Sequence, residues 1–155
     1  MITSLQRYIL FLGLATAGAV HDYFLLKEEL RWWENERTWF ELIELFVDLG
    51  YLGIEDDFVI GHLQIPHKKP RKSKENPNPK LTDEQKNHNK KVSQIRVFGE
   101  HAIGSVKIWA IMTHIYRSHT DGFEDVSAGI CAALHNLKIK QKNKLQFAIL
   151  EQAYL

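Results

Sequence analysis

The sequence predicts an α/β fold with a helical C-terminal half, and three observations carry that prediction. Short continuous apolar runs end at small residues or at an Asp followed by a Gly, as core strands do. A stretch at rough helical spacing, mixed acidic and aromatic, separates the first two runs. Beyond a segment rich in proline and lysine, the pattern is helical to the C-terminus.

Tyr8 to Leu14 reads as the first strand, closed by Ala15, Thr16, Ala17 and a turn at Gly18. Arg7 ahead of this run gives it the outline of a secretory leader. One arginine is a thin charged region, and the run is shorter than the ~20 residues that span a bilayer. Phe24 to Phe40 reads as a helix, with Leu25, Leu26, Leu30, Trp32, Trp33 and Trp39 as core anchors. Leu42 to Tyr51 reads as a core strand running into the turn Asp48-Leu49-Gly50-Tyr51, and Val59 to Pro66 as a second short strand.

All four prolines fall between Pro66 and Lys80, among His67, Lys68, Lys69, Arg71, Lys72, Lys74 and Lys80. Proline removes backbone donors, so residues 66–80 read as a basic extended loop. Thr82 with Gln85 forms a capping box, and Asp83 and Glu84 suit the first turn of the helix it opens. That helix is expected to reach about Tyr116, with a break near Gly99 or Gly104. After the Asp121-Gly122 turn, Phe123 to about Lys140 reads as an amphipathic helix. Val126, Ile130, Ala133, Leu134 and Leu137 would be its inward side. Residues 141–155 form a tail.

A chain of 155 residues is long enough for one domain with a real core. Hydrophobic residues at 45% and charged residues at 25% are ordinary for a globular protein. A net charge of +1 announces no nucleic-acid partner, but the basic residues cluster in the loop. The single cysteine, Cys131, excludes an internal disulfide and fits a reducing compartment, hence the cytoplasm and no membrane.

The candidate chemistry lies at two places. Asp48 stands at the end of an apolar strand. Arg96, Glu100 and Lys107 share one helix stripe: at about 100° per residue, Glu100 falls about 40° from Arg96 and Lys107 about 20° from each. A strand-end Asp and a helix Glu can share a divalent ion, since Mg²⁺ prefers hard oxygen ligands and substrate phosphate. Read without that ion, the same residues are a turn Asp and a solvated ion pair.

Val47-Asp48-Leu49-Gly50-Tyr51 resembles the D-x-G-Y segment of bacterial insertion-sequence transposases of the DDE superfamily. Arg96, Glu100 and Lys107 match the R-x3-E-x6-K part of that family's signature. Gly18-Ala19-Val20-His21-Asp22 is similar to its G-x-V-H-D stretch, and Ile65-Pro66-His67-Lys68-Lys69-Pro70 to its proline- and lysine-rich segment. Leu81, Thr82, Lys86 and Asn89, then Glu100 to Gly104, Tyr116-Arg117 and Leu134-His135-Asn136, also fit. The resemblance covers roughly residues 5 to 140, and residues 1–140 would form a partial catalytic domain.

The resemblance implies a ribonuclease H-like fold and metal-dependent DNA cleavage and strand transfer. Asp48 would be the second catalytic Asp and Glu100 the catalytic Glu, both ligands of Mg²⁺ or Mn²⁺. Arg96, Lys107, Lys68, Lys69, Arg71 and Lys72 would support the site or contact DNA, with Asp22 as an accessory carboxylate. DNA, both transposon ends and target, would be the partner.

Two departures stand out. Ser93 occupies the position where the signature has a Tyr. The family's first Asp, in a D-G-T-like segment, has no counterpart in these residues, nor has its N-terminal DNA-binding region. The expected fold is therefore N-terminally truncated and the metal site two-thirds built. Activity would need the missing half or a homo-oligomer. The alternative is a non-enzymatic nucleic-acid-binding remnant. A secreted or tethered protein, resting on the N-terminal run alone, is the third reading.

Overall fold

A computed structural model describes the chain except residues 17, 19, 32–39, 75–76, 115–119 and 154–155, and residues 145–153 by their backbone alone. The chain divides into two compact units where one domain is expected: residues 1–15 with 98–155, and residues 16–97. Among the described residues, strands and helices both occur, as the α/β class requires. The strands form two two-stranded sheets.

In the first unit, β1 (Ile2–Thr3) pairs antiparallel with β2 (Ile9–Phe11). The strand expected over Tyr8–Leu14 is thus only three residues long. The connecting turn closes with Ser4 N–H donating to the Tyr8 carbonyl at 2.8 Å, and puts Arg7 at φ 69°. A left-handed last residue is what a three-residue hairpin loop needs.

The hairpin is fastened to α4 (Phe123–Ala153) by polar side chains. The Asn136 side chain accepts from Ile9 N–H at 2.8 Å and donates to the Ile9 carbonyl at 2.9 Å. His135 Nε2 lies 2.8 Å from the Arg7 carbonyl. Around them, Ile9, Ala102, Val106, Cys131 and Ala132 make the core, with Leu12 and Met112 against it.

This packing overturns the expected inward side of α4. Ser127, Cys131, Ala132 and His135 are buried, whereas Val126, Ile130 and Leu137 are 61%, 55% and 52% exposed. The buried face carries small residues, which permit close approach, and its two polar groups set the rotation of the helix. The apolar residues on the other side make a surface of the kind that associates. The helix also continues through the expected tail, to residue 153.

In the second unit, β3 (Glu44–Phe46) pairs parallel with β4 (His62–Gln64), with Leu45 opposite Leu63. Both strands are shorter than their apolar runs. Between them come a 3₁₀ turn (Leu49–Tyr51) and α2 (Ile54–Asp57). Gly61 is required where the chain returns: a Cβ there would stand 2.1 Å from the Glu41 carbonyl oxygen. Buried Phe40 and Phe58 meet edge to face at 5.7 Å, and Ile54, Val47 and Val92 of this unit are buried as well. Edge-to-face geometry suits the ring quadrupoles.

The helix expected over Phe24–Phe40 is α1, Asp22–Leu30. The anchors Trp32, Trp33 and Trp39 lie outside the described residues. α3 (Asp83–Lys107) starts at the expected box: Thr82 N–H donates to Gln85 Oε1 at 3.0 Å, and Gln85 N–H to Thr82 Oγ1 at 3.2 Å. It runs unbroken through Gly99 and Gly104, contrary to the expected break, and stops at Lys107 rather than near Tyr116. A helical glycine costs about 1 kcal/mol, which burial of Ala102 and Val106 offsets. Residues 66–80 carry neither helix nor strand among those described, as expected. No helix among the described residues is long and apolar enough to cross a membrane.

Two outcomes follow. Asn136→Ala deletes both bonds to Ile9 and should destabilise the first unit by about 1–3 kcal/mol in urea unfolding. The purified chain should self-associate in light scattering, and Ile130→Lys with Leu134→Lys should reduce its apparent mass. An unchanged mass would mean that this stripe is not the adhesive surface.

Candidate functional site

Asp48 sits immediately beyond β3, at the carboxyl end of a parallel strand, where open α/β sheets present their functional groups. The backbone pairing extends one residue past the strand, with Val47 N–H donating to the Gln64 carbonyl at 3.1 Å. Asp48 then caps the 3₁₀ turn: its Oδ1 accepts the Gly50 amide at 2.7 Å. A Cβ on Gly50 would lie 2.9 Å from that oxygen. The glycine of the D-x-G-Y segment is there so that the carboxylate can reach back over its own turn.

The other carboxylate oxygen faces α3. Arg96 Nη2 stands 3.7 Å from Asp48 Oδ2, with both side chains partly exposed. The structure therefore joins two of the residues singled out from sequence, 48 positions apart. The guanidinium is near enough to balance the carboxylate and far enough to leave that oxygen in contact with solvent.

Tyr51, the last residue of the segment, lies in the same place. Burial pushes its hydroxyl above the ordinary tyrosine range, and the charges of Asp22 and Asp48 push it the same way. Asp22 thus belongs to the electrostatic surroundings of Asp48. His21 makes no pair with Asp22. Its Nδ1 accepts from Tyr23 N–H at 3.3 Å and so caps α1, with Asp22 in the first turn, where a negative charge suits the helix dipole.

Tyr23 meets Tyr51 edge to face at 5.9 Å. Its hydroxyl donates to Asp57 and also lies 3.0 Å from the Gly53 carbonyl. Burial, followed by the Asp57 carboxylate, holds its hydroxyl protonated far above the usual tyrosine range. Lys27 completes the group, 3.3 Å from Asp57 and 4.8 Å from the Tyr23 ring centre. Sequence reasoning passed over Tyr23, which sits between the two matched stretches as a supporting wall.

Lys68, Lys69, Arg71 and Lys72 are exposed on the loop. Its start is held against α3: Asn89 accepts from His67 N–H at 2.7 Å and donates to the His67 carbonyl at 3.0 Å. The His88 ring nitrogen lies 3.1 Å from the Ile65 carbonyl, and its ring packs on that of His67 at 4.9 Å. Glu100 and Lys107 are exposed on the part of α3 that belongs to the first unit. His114 and His101 are exposed, and Cys131 is buried.

No three His, Cys, Asp or Glu side chains converge as a metal cage among the described residues. Asp48 still fits a hard cation in part. Its donors are carboxylate oxygens, and one of them points away from the backbone cap.

A family model described as DDE superfamily endonuclease matches residues 1–136, and the chain belongs to that family. Among curated proteins, it is 27% identical over 125 residues to the "Probable transposase for insertion sequence element IS702" of Microchaete diplosiphon. That match takes in 81% of this chain and 40% of the relative, so the chain spans well under half the relative's length. No solved structure matches.

The Tyr51 environment is directly testable. Asp22→Asn and Asp48→Asn should each lower the Tyr51 titration toward about 10, read by ultraviolet difference absorbance with Tyr51→Phe as the blank. Because the folded value is raised, the stability that Tyr51 contributes is complete below about pH 10. It is lost as pH climbs through the raised value. Alkaline unfolding should therefore come at higher pH in Tyr51→Phe than in the parent.

Proposed function

We propose that this chain carries the second-Asp and Glu portion of a ribonuclease H-like catalytic domain that cuts and transfers DNA strands during transposition. The observation that supports it most is Asp48: a carboxylate at the end of a parallel strand, backed by the Gly50 amide and faced by Arg96 from α3. Membership of the DDE superfamily endonucleases and the likeness to an insertion-sequence transposase support the same reading.

In this reading Asp48 and Glu100 would hold Mg²⁺ or Mn²⁺ through carboxylate oxygens, and the chemistry such an ion would supply there is activation of an oxygen nucleophile and stabilisation of the leaving oxygen. The protein's own residues do the rest. The Gly50 amide orients the Asp48 carboxylate, Arg96 and Lys107 meet phosphate oxygens, and Lys68, Lys69, Arg71 and Lys72 follow the DNA backbone. Tyr51 stays protonated at neutral pH, so it can donate a hydrogen bond but adds no charge to the carboxylates. Asp22 adds negative potential beside them.

The third carboxylate lies outside these 155 residues, supplied by a further segment of chain or by a partner molecule. DNA is the substrate, and the working compartment is the cytoplasm.

Binding of Mn²⁺, followed by its electron paramagnetic resonance signal, checks the metal assignment. The parent chain should bind weakly, and Asp48→Asn should remove that binding while Lys107→Gln leaves it. Strand transfer by the purified chain alone should be absent. Salt-sensitive DNA binding indifferent to both Mn²⁺ and Asp48→Asn would instead favour a non-enzymatic nucleic-acid-binding protein.

A further inference from the structure

Asn89 lies on α3, two turns before Arg96, and its side chain serves neither the helix nor the metal candidates. It makes both available bonds to one backbone residue of the loop, at 2.7 Å and 3.0 Å. An amide is the side chain that can do this, since it accepts from an N–H and donates to a C=O at one end. The residue so held is His67, directly before Lys68 and Lys69.

Two further contacts act on the same end of the loop. His88, next to Asn89, bonds the Ile65 carbonyl at 3.1 Å and packs on the His67 ring. At the far end Pro79 is fully buried. The loop is therefore pinned at both ends, with its exposed cations strung between. Without those pins, a chain of this length and composition would pay the full ordering cost when it meets a ligand.

We infer that Asn89 is a positioning residue for DNA binding: its double bond to His67 presents the Lys68–Lys72 segment to the phosphate backbone in a preformed path. This rests on the reading of the loop as a DNA contact and adds the residue that makes the contact efficient. Preorganisation of this kind raises affinity by reducing what must be ordered on binding. It leaves the number of phosphates neutralised, and so the salt dependence, unchanged.

The test uses the full 155-residue chain and two readouts. The first is limited trypsin digestion, scored at Lys68, Lys69, Arg71 and Lys72 against sites in α3. The second is anisotropy of a short fluorescent duplex of random sequence across a sodium chloride series. Asn89→Leu keeps the branched shape of the side chain and removes both bonds. It should speed loop cleavage and weaken DNA binding about tenfold, with the salt slope of the parent. Asn89→Gln, which keeps both groups on a longer arm, should recover part of each.

Lys68→Ala with Lys69→Ala should lower the salt slope as well as the affinity. Should Asn89→Leu lower the melting temperature, Asn89→Ser removes the bonds with a smaller polar residue suited to this half-buried position. Unchanged loop cleavage in Asn89→Leu and in Asn89→Ser overturns the positioning role. So does faster cleavage with unchanged affinity. If the double lysine variant binds like the parent, the loop is no DNA contact; the DNA reading of the loop fails while the cleavage data still report the clasp.

Discussion

The hydrogen bond from the Gly50 amide to the Asp48 carboxylate is the contact on which the candidate site turns. It is short, local and cheap in entropy, because donor and acceptor are two residues apart. It ends β3, starts the 3₁₀ turn and aims the free oxygen in one act. Arg96 comes to that oxygen from an element far along the chain, and Tyr51 is carried into place by the same turn. A larger residue at position 50 would press on the Asp48 carboxylate oxygen that takes this bond. That closeness gives a physical reason for a glycine inside the D-x-G-Y segment.

The two units are built by the same device used twice. In one, Asn136 closes on both backbone groups of Ile9; in the other, Asn89 closes on both backbone groups of His67. An edge strand and an extended loop each carry backbone groups that need partners. A helix-borne asparagine supplies two at once without adding a charge. Two-stranded sheets are marginal by themselves, so such clasps carry more of the architecture than they would in a wide sheet.

Local signals were legible in the sequence where their physics is local. The Thr82–Gln85 box, the turn at Asp48 and, among the described residues of 66–80, the lack of helix and strand all depend on near neighbours, and all are found as read. Strand lengths were overestimated because an apolar run marks burial, not pairing: Leu12 packs against the core without joining a ladder. The rotation of α4 was read backwards for a related reason. Periodicity favoured the large residues Val126, Ile130 and Leu137, while the helix is turned by His135 and Asn136, whose partners are 128 and 127 positions away. The Asp48–Arg96 pairing was likewise beyond periodicity, which placed Arg96 on a stripe with Glu100 but could not say which carboxylate it meets. Asn89 stood in the family pattern as a helix-start residue; its task appears only once the loop folds back on it.

The burial of Cys131 among Ile9, Ala102, Val106 and Ala132 has a practical side. As the sole thiol of the chain, it is shielded from alkylating reagents for as long as this core stays closed. Its rate of modification therefore clocks the opening of one unit alone, since the other holds no sulfhydryl to contribute. The molecule carries its own probe of how often that unit opens.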